Sequence, residues 1–267
     1  MIAGSDSGGG AGIQADIKTI TALGAYAATA ITALTAQNTL GVFAVASVDP
    51  SFVAEQIRVV LEDIGADCIK TGMLHSRPVI EKVARELEAR ATSIPIIVDP
   101  VMVAKGGAAL LEADARAALV RRMLPIAALI TPNLPEAEAL TGLSAESEDD
   151  LPRLADRLLT LGPSAVLVKG GHLPGDRVVD LLRTADGEEQ RFEGPRVLTR
   201  STHGTGCTLA SAIAAGVAEG LTLKASVARA RDYVVTALRT APGLGAGHGP
   251  LNHGWPLTER VARGRAF

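Results

Sequence analysis

Short apolar runs alternate with longer amphipathic stretches along this chain. Tyr26–Ala36, Val42–Val48, Cys68–Lys70, Ile94–Val98, Ala128–Ile130 and Ala165–Val168 are apolar segments closed off by turn-forming or polar residues. Runs of this kind predict strands buried in a parallel sheet. Met1-Ile2-Ala3 reads as the last part of another strand, so a natural N-terminus a few residues longer is expected. Apolar positions at helical spacing predict helices over Gly12–Leu23, Ser51–Ile64, Arg77–Ala91, Glu112–Leu124, Glu136–Thr141, Asp149–Leu161, Gly206–Glu219 and Leu223–Thr240. Val178–Arg183 and Gln190–Val197 alternate instead and flank Asp186-Gly187, a hairpin signal. That hairpin would form an antiparallel edge on an otherwise parallel sheet.

Repeated strand–helix units predict an α/β sandwich with right-handed crossovers. No linker, repeat or charge block divides the 267 residues, so residues 1–267 are expected to form one domain. Ligands of such sheets sit beyond the carboxyl ends of the strands. The loops falling there are polar and glycine-rich: Gly4–Gly12, Gln37–Gly41, Thr71–Met73, Asp99–Gly107, Thr131–Glu136, Lys169–His172 and His203–Cys207. Within them, Lys105-Gly106-Gly107 gives Met102–Leu110 the hinge glycines of a flap.

Composition narrows the function. A net charge of −3 and the lack of a basic stripe argue against a nucleic-acid partner. No run of about 18 apolar residues argues for a membrane span, and no signal-peptide pattern opens the chain. Cys68 and Cys207 form neither a CxxC pair nor a zinc spacing. One disulfide stays open, but the pattern fits a reduced cytoplasmic protein better. Aromatic residues are only 3%, so Ala, Val, Leu and Ile must build the core.

The most informative segment is Ser201-Thr202-His203-Gly204-Thr205-Gly206-Cys207-Thr208, a glycine-spaced turn running into an alanine-rich helix. The first amides of a helix lack intrahelical partners and carry the positive end of the macrodipole. Gly204 and Gly206 leave those amides open to close approach, so the segment predicts an anion hole for a phosphate or developing oxyanion. A thiol at its rim, Cys207, is expected to shift toward thiolate.

Other motifs have two readings each. Gly10-Ala11-Gly12-Ile13-Gln14-Ala15 matches a dinucleotide fingerprint, but no acid follows at the required distance of about 20 residues. It reads better as a helix-opening turn, or as a loop lining a small-molecule pocket with Asp16 in the first turn. No P-loop motif occurs, which excludes that class of NTPase. In Thr131-Pro132-Asn133-Leu134-Pro135-Glu136, Asn133 and Glu136 fit a helix cap or a site for hydrated Mg²⁺. Asp99-Pro100 is a turn, or a carboxylate aimed at the same metal. Lys169, before Gly170-Gly171, is a snorkelling surface lysine or a contact to a transferring phosphate. Gln37-Asn38 is a turn signal, or an amide reading a heterocycle.

Together these segments resemble one family. Ile2–Asp16, Thr32–Thr39, Lys70–Leu74, Thr131–Glu136, Lys169–His172 and His203–Thr208 are similar to hydroxymethylpyrimidine/phosphomethylpyrimidine kinases of thiamine biosynthesis, in the ribokinase-like superfamily. Cys207 stands where sugar kinases of that superfamily carry Asp. The resemblance implies a three-layer α/β/α sandwich with a mostly parallel central sheet and an antiparallel edge hairpin. It implies transfer of the ATP γ-phosphoryl group to 4-amino-5-hydroxymethyl-2-methylpyrimidine and then to its monophosphate. By the same resemblance, Gln37, Gly4, Asp16, Met73 and Val101 would line the pyrimidine pocket. Lys169, Thr205 and Gly206 would meet the nucleotide phosphates, and Asp99, Asn133 and Glu136 would organise Mg²⁺. Gly204, Gly206, Lys169 and Cys207 would be catalytic, Cys207 assisting deprotonation of the acceptor hydroxyl. A homodimer is also expected. The rival readings are a pyridoxal or pyridoxine kinase of the same fold and a non-catalytic pyrimidine-binding regulator. Intact Lys169, Asn133, Glu136 and Cys207 argue against the regulator.

Overall fold

The computed structural model describes residues 1–103, 107, 110–112 and 114–262. Residues 104–106 and 108–109, the centre of the expected flap, lie outside them. Nine strands form one sheet among the described residues: β1 (Ile2–Asp6), β2 (Ala30–Asn38), β3 (Gly41–Ser47), β4 (Ile69–Thr71), β5 (Ile96–Val98), β6 (Leu129–Ile130), β7 (Ala165–Lys169), β8 (Arg177–Thr184) and β9 (Glu189–Pro195). Their order is β3-β2-β1-β4-β5-β6-β7-β8-β9. The pairings from β2 through β7 are parallel.

Side-chain alternation in the central strands explains the three layers. Ile96, Val98, Ile130, Val166 and Val168 face one way, into a core with α2 (Pro50–Asp63), α3 (Arg77–Arg90), α5 (Leu134–Thr141) and α6 (Leu151–Leu159). Ile97, Leu129 and Leu167 face the other way, against α7 (Thr205–Ala218) and α8 (Leu223–Arg239). The helix α1 (Gly12–Ala22) packs beside α7 on that second face.

Both edges of the sheet are antiparallel. The predicted hairpin forms β8 and β9 as expected. The run expected as a buried parallel strand at Val42–Val48 instead pairs antiparallel with β2 and is largely exposed. Only Thr39 and Leu40 separate β2 from β3, and a parallel partner needs a crossover of a dozen or more residues. β2 begins at Ala30 rather than Tyr26, where its partner β1 begins. The helix expected over Glu112–Leu124 is α4 (Ala115–Ala118), a wider π turn at Leu119–Met123 and a tight 3₁₀ turn at Leu124–Ile126. Pro125 has no amide to continue an α-helix through that turn. A further helix, α9 (Trp255–Ala262), lies beyond the last helix expected from the sequence, which ends at Thr240. No helix among the described residues is long and apolar enough to cross a membrane.

Candidate active site

The carboxyl ends of the strands open into one cleft of about 730 Å³. Gly4, Gln37, Met73, Asp99, Val101, Asn133, Glu136, Lys169 and Gly204–Cys207 all line it. The segments singled out by sequence are therefore brought together, with one exception among the candidates. Asp16 has no exposed surface and does not reach the cleft. Its carboxylate turns inward to the Lys70 ammonium, at 2.8 and 3.0 Å, so the first turn of α1 lines the pocket without it.

Gly204 sits at φ 82° immediately before α7. A Cβ there would stand 1.8 Å from the Gly10 carbonyl oxygen, so the two glycine loops touch backbone to backbone. A Cβ on Gly206 would lie 3.3 Å from Lys169 Nζ and 3.6 Å from Asp99 Oδ2. Lys169 and Asp99 thus lie directly against the first turn of α7 at Gly206. Lys169 Nζ donates to Asp99 Oδ1 at 3.1 Å, and Thr131 Oγ1 donates to the same oxygen at 2.9 Å. Burial alone would lower the Lys169 ammonium, but Asp99 and Glu136 outweigh it and hold it above the ordinary lysine range. Lys169 is a fixed cation here, not a snorkelling one.

Asn133 and Glu136 form a reciprocal cap on α5. Asn133 Oδ1 accepts from the Glu136 amide at 2.9 Å, and Glu136 Oε2 accepts from the Asn133 amide at 2.8 Å. Burial, with Asp99 nearby, pushes Glu136 up to about 7 against the pull of Lys169. Both readings of this motif are therefore physically joined: the cap fixes a carboxylate that burial leaves short of positive charge. The cap engages the Asn133 oxygen and holds Glu136 in place. Among the described residues, no group of three His, Cys, Asp or Glu side chains converges on a metal position. The oxygens that suit a hydrated Mg²⁺ are those of Asp99 and Glu136.

Cys207 departs from expectation. Burial pushes its thiol up to about 11, with Asp16 and Asp99 adding to the rise, while Lys70 and the Gly12 amide oppose it. The helix N-terminus does not by itself deliver a thiolate, because Cys207 is partly buried on the cleft wall with the charges of Asp16 and Asp99 nearby.

His203 holds two loops together. Its Nε2 lies 2.8 Å from Asp6 Oδ2. The amides of Gly8, Gly10 and Ala11 donate to the same carboxylate at 2.8–3.0 Å. Burial opposes ionisation of Asp6, but His203 and the Ala11 and Gly8 amides outweigh it and hold the carboxyl below its ordinary range. Gln37 lies beside this pair, with Nε2 3.3 Å from His203 and Oε1 accepting from Thr35 Oγ1 at 3.2 Å. The half-buried Gln37 amide is thereby fixed on the cleft wall.

Two parts of the cleft escaped the sequence reading. Asp180 lies opposite Lys169 across β7–β8. It accepts from the Gly170 amide at 2.9 Å and from Arg231 Nε at 2.8 Å, fixing the turn that follows Lys169. Val234 and Leu238, with Pro195 and Val197, give the cleft an apolar wall. The i, i+3, i+7 spacing of Arg231, Val234 and Leu238 carried that second signal.

The phosphomethylpyrimidine kinase family profile matches residues 6–252. This chain belongs to that family. It is 48% identical over 258 residues to the hydroxymethylpyrimidine/phosphomethylpyrimidine kinase of Streptomyces coelicolor, covering 97% of this chain and 94% of that one. It is 51% identical over 253 residues to the thiamine biosynthesis bifunctional protein ThiED of Geobacter sulfurreducens, covering 94% of this chain but only 51% of that one. The chain thus spans about half of that longer relative. A crystal structure of phosphomethylpyrimidine kinase from Clostridium difficile aligns at a TM-score of 0.78 and 41% identity, over 88% of this chain and 96% of that one. The pyridoxal kinase of Staphylococcus aureus in complex with ADP aligns at 0.87 and 33% identity, over 95% of this chain and 92% of that one. The chain is a kinase of this family, and the Staphylococcus aureus pyridoxal kinase of the same fold has been solved with ADP and with the ATP analogue AMP-PCP.

Proposed function

We propose that this kinase transfers the ATP γ-phosphoryl group to 4-amino-5-hydroxymethyl-2-methylpyrimidine and then to its monophosphate, in thiamine biosynthesis. The observation that carries the reading is the approach of Gly206 to Lys169 and Asp99, in the same cleft as Gln37. Phosphoryl transfer needs positioning and charge neutralisation more than covalent chemistry. The first turn of α7 lies close to the Lys169 ammonium, and the amides of Gly204–Cys207 together with that ammonium would hold a phosphoryl group between them. Gln37, Gly4, Met73 and Val101 would hold the planar acceptor, with Gln37 hydrogen-bonding its edge. The apolar wall of Val234 and Leu238 suits a purine base.

As the acceptor oxygen bonds to the γ-phosphorus, the bond from that phosphorus to the ADP oxygen breaks. Cys207 would take up the acceptor proton from the small thiolate fraction that a thiol near 11 leaves at neutral pH, and Lys169 would balance the charge on the phosphoryl oxygens. Asp99 and Glu136 would hold Mg²⁺ through oxygen atoms, with Asn133 fixing Glu136. The metal, when bound, would neutralise phosphate charge.

A second copy of the chain would cover Leu34, Leu40 and Phe43, which are 50%, 65% and 70% exposed on the β2–β3 edge, making the functional unit a homodimer. The two free thiols suit the reducing cytoplasm. The stronger structural likeness to pyridoxal kinase favours one second reading, a pyridoxal-phosphorylating activity at the same cleft. Incubation with ATP, Mg²⁺ and the hydroxymethylpyrimidine tests the main reading by product mass. One and then two added phosphoryl groups are expected; an unchanged acceptor would refute it.

A further inference from the structure

Lys70 has no exposed surface, although it is charged and stands near the middle of the sheet on β4. Its ammonium meets both carboxylate oxygens of Asp16, and Ser211 Oγ donates to Asp16 Oδ1 at 2.6 Å. All three side chains are wholly buried. A buried ion pair is seldom more stabilising than apolar residues of the same volume. Its location is therefore more informative than its presence.

Two helices place this cluster under the thiol. Gly12 opens α1 near Cys207, its amide favouring the ionised thiol, and Asp16 follows one turn later. Cys207 lies in the first turn of α7, and Ser211 follows one turn later. Residues four apart share a helix face at roughly 5–6 Å. The Lys70–Asp16–Ser211 cluster thus lies one helical turn beneath the sulfur. The charged groups that act on Cys207 are Lys70 and Asp16 on this side, and Asp99 and Lys169 from the cleft. Lys169 is engaged by Asp99 and open to the phosphate. Lys70 can reach neither solvent nor ligand.

We propose that Lys70 is a positioning residue for the transfer, a fixed buried cation that acts through Cys207 by favouring its thiolate. Asp16 and Ser211 hold the ammonium at its distance and set how much of its charge the sulfur feels. The inference rests on the reading of Cys207 as the group that meets the acceptor proton.

The test is Cys207 alkylation by iodoacetamide against pH, in the full-length protein with Cys68→Ser so that Cys207 is the sole thiol. Asp16→Asn removes the counter-charge and leaves Lys70. Alkylation at neutral pH should then accelerate roughly tenfold, as an opposite charge near an acid favours its ionised form. Lys70→Met combined with Asp16→Asn removes both charges. Alkylation should then move to higher pH, and kcat should fall roughly tenfold with KM for ATP unchanged. A packing role would move both variants the same way. Alkylation of Asp16→Asn at the parent rate or slower would overturn the proposal, and that variant decides the matter if the double variant does not fold. Failure of the underlying reading looks different: Cys207→Ala would keep the parent kcat, whatever the alkylation profiles show.

Discussion

Gly206→Ala should separate stability from activity. Gly206 lies inside the first turn of α7 without a left-handed backbone, so alanine can adopt its conformation. The added methyl would meet only the tip of the Lys169 side chain at 3.3 Å and Asp99 Oδ2 at 3.6 Å. A flexible side-chain end can yield a few tenths of an ångström, and alanine gains up to about 1 kcal/mol over glycine in a helix. The melting temperature should therefore hold or rise by about 2–4 °C. The same methyl stands in the gap where a phosphoryl oxygen would approach the amides and Lys169. Losing one preorganised donor costs about 10²–10³ in kcat, and kcat should fall by that amount. Gly204→Ala makes the contrast. Its Cβ would strike the Gly10 carbonyl at 1.8 Å with φ at 82°, so stability and activity should fall together. Thermal melts and an ADP-release assay on both variants decide the matter. A Gly206→Ala protein with parental kcat would refute the placement of the phosphoryl group against Gly206.

Gln37→Leu should raise the KM for the pyrimidine by about 5- to 150-fold, matching roughly 1–3 kcal/mol for an unpaired polar partner, while KM for ATP holds; steady-state kinetics check it. Cys207→Ala keeps the backbone amide, so kcat should fall by about 10²–10⁴ with ATP binding retained, and Cys207→Asp should recover part of the rate. Because the thiol is pushed up to about 11, alkylation of Cys207 in the parent should rise with pH through 9 and 10 without an earlier plateau. His253, buried and beside Thr208 Oγ1 at 3.0 Å, is lowered to about 4 by burial, with Lys18 and His203 adding to it. Its neutral form is the folded one, so its contribution is present above pH 6.5 and is lost as pH falls toward 4. The loss is at most about 3 kcal/mol. Denaturant titrations from pH 7 to 4 should show a shallower decline in His253→Gln.

The parallel core was legible because its strands are short, apolar and punctuated, and no other arrangement buries both faces. The edge at Val42–Val48 was misread because apolar composition alone does not distinguish a buried strand from an exposed one. The two-residue link Thr39-Leu40 held the missing information. In the site, glycine spacing exposed the anion hole, since close approach leaves a mark in sequence. Burial leaves a weaker one. Cys207 was expected as a thiolate because a helix N-terminus is visible in sequence, whereas the carboxylates of Asp16 and Asp99 reach it only through the fold. Asp16 was assigned to the pocket for the same reason: Lys70, its partner, is 54 residues away. The tail helix α9 was hidden behind the Gly- and Pro-rich stretch that precedes it.

Direct competition between acceptors tests the central claim. Purified protein would be given ATP, Mg²⁺ and equal concentrations of the hydroxymethylpyrimidine and pyridoxal, with products followed by mass over time. The account predicts early appearance of the pyrimidine monophosphate, its conversion to the diphosphate, and loss of both products with Lys169→Met. Exclusive phosphorylation of pyridoxal, or pyrimidine phosphorylation that survives Lys169→Met, would contradict it.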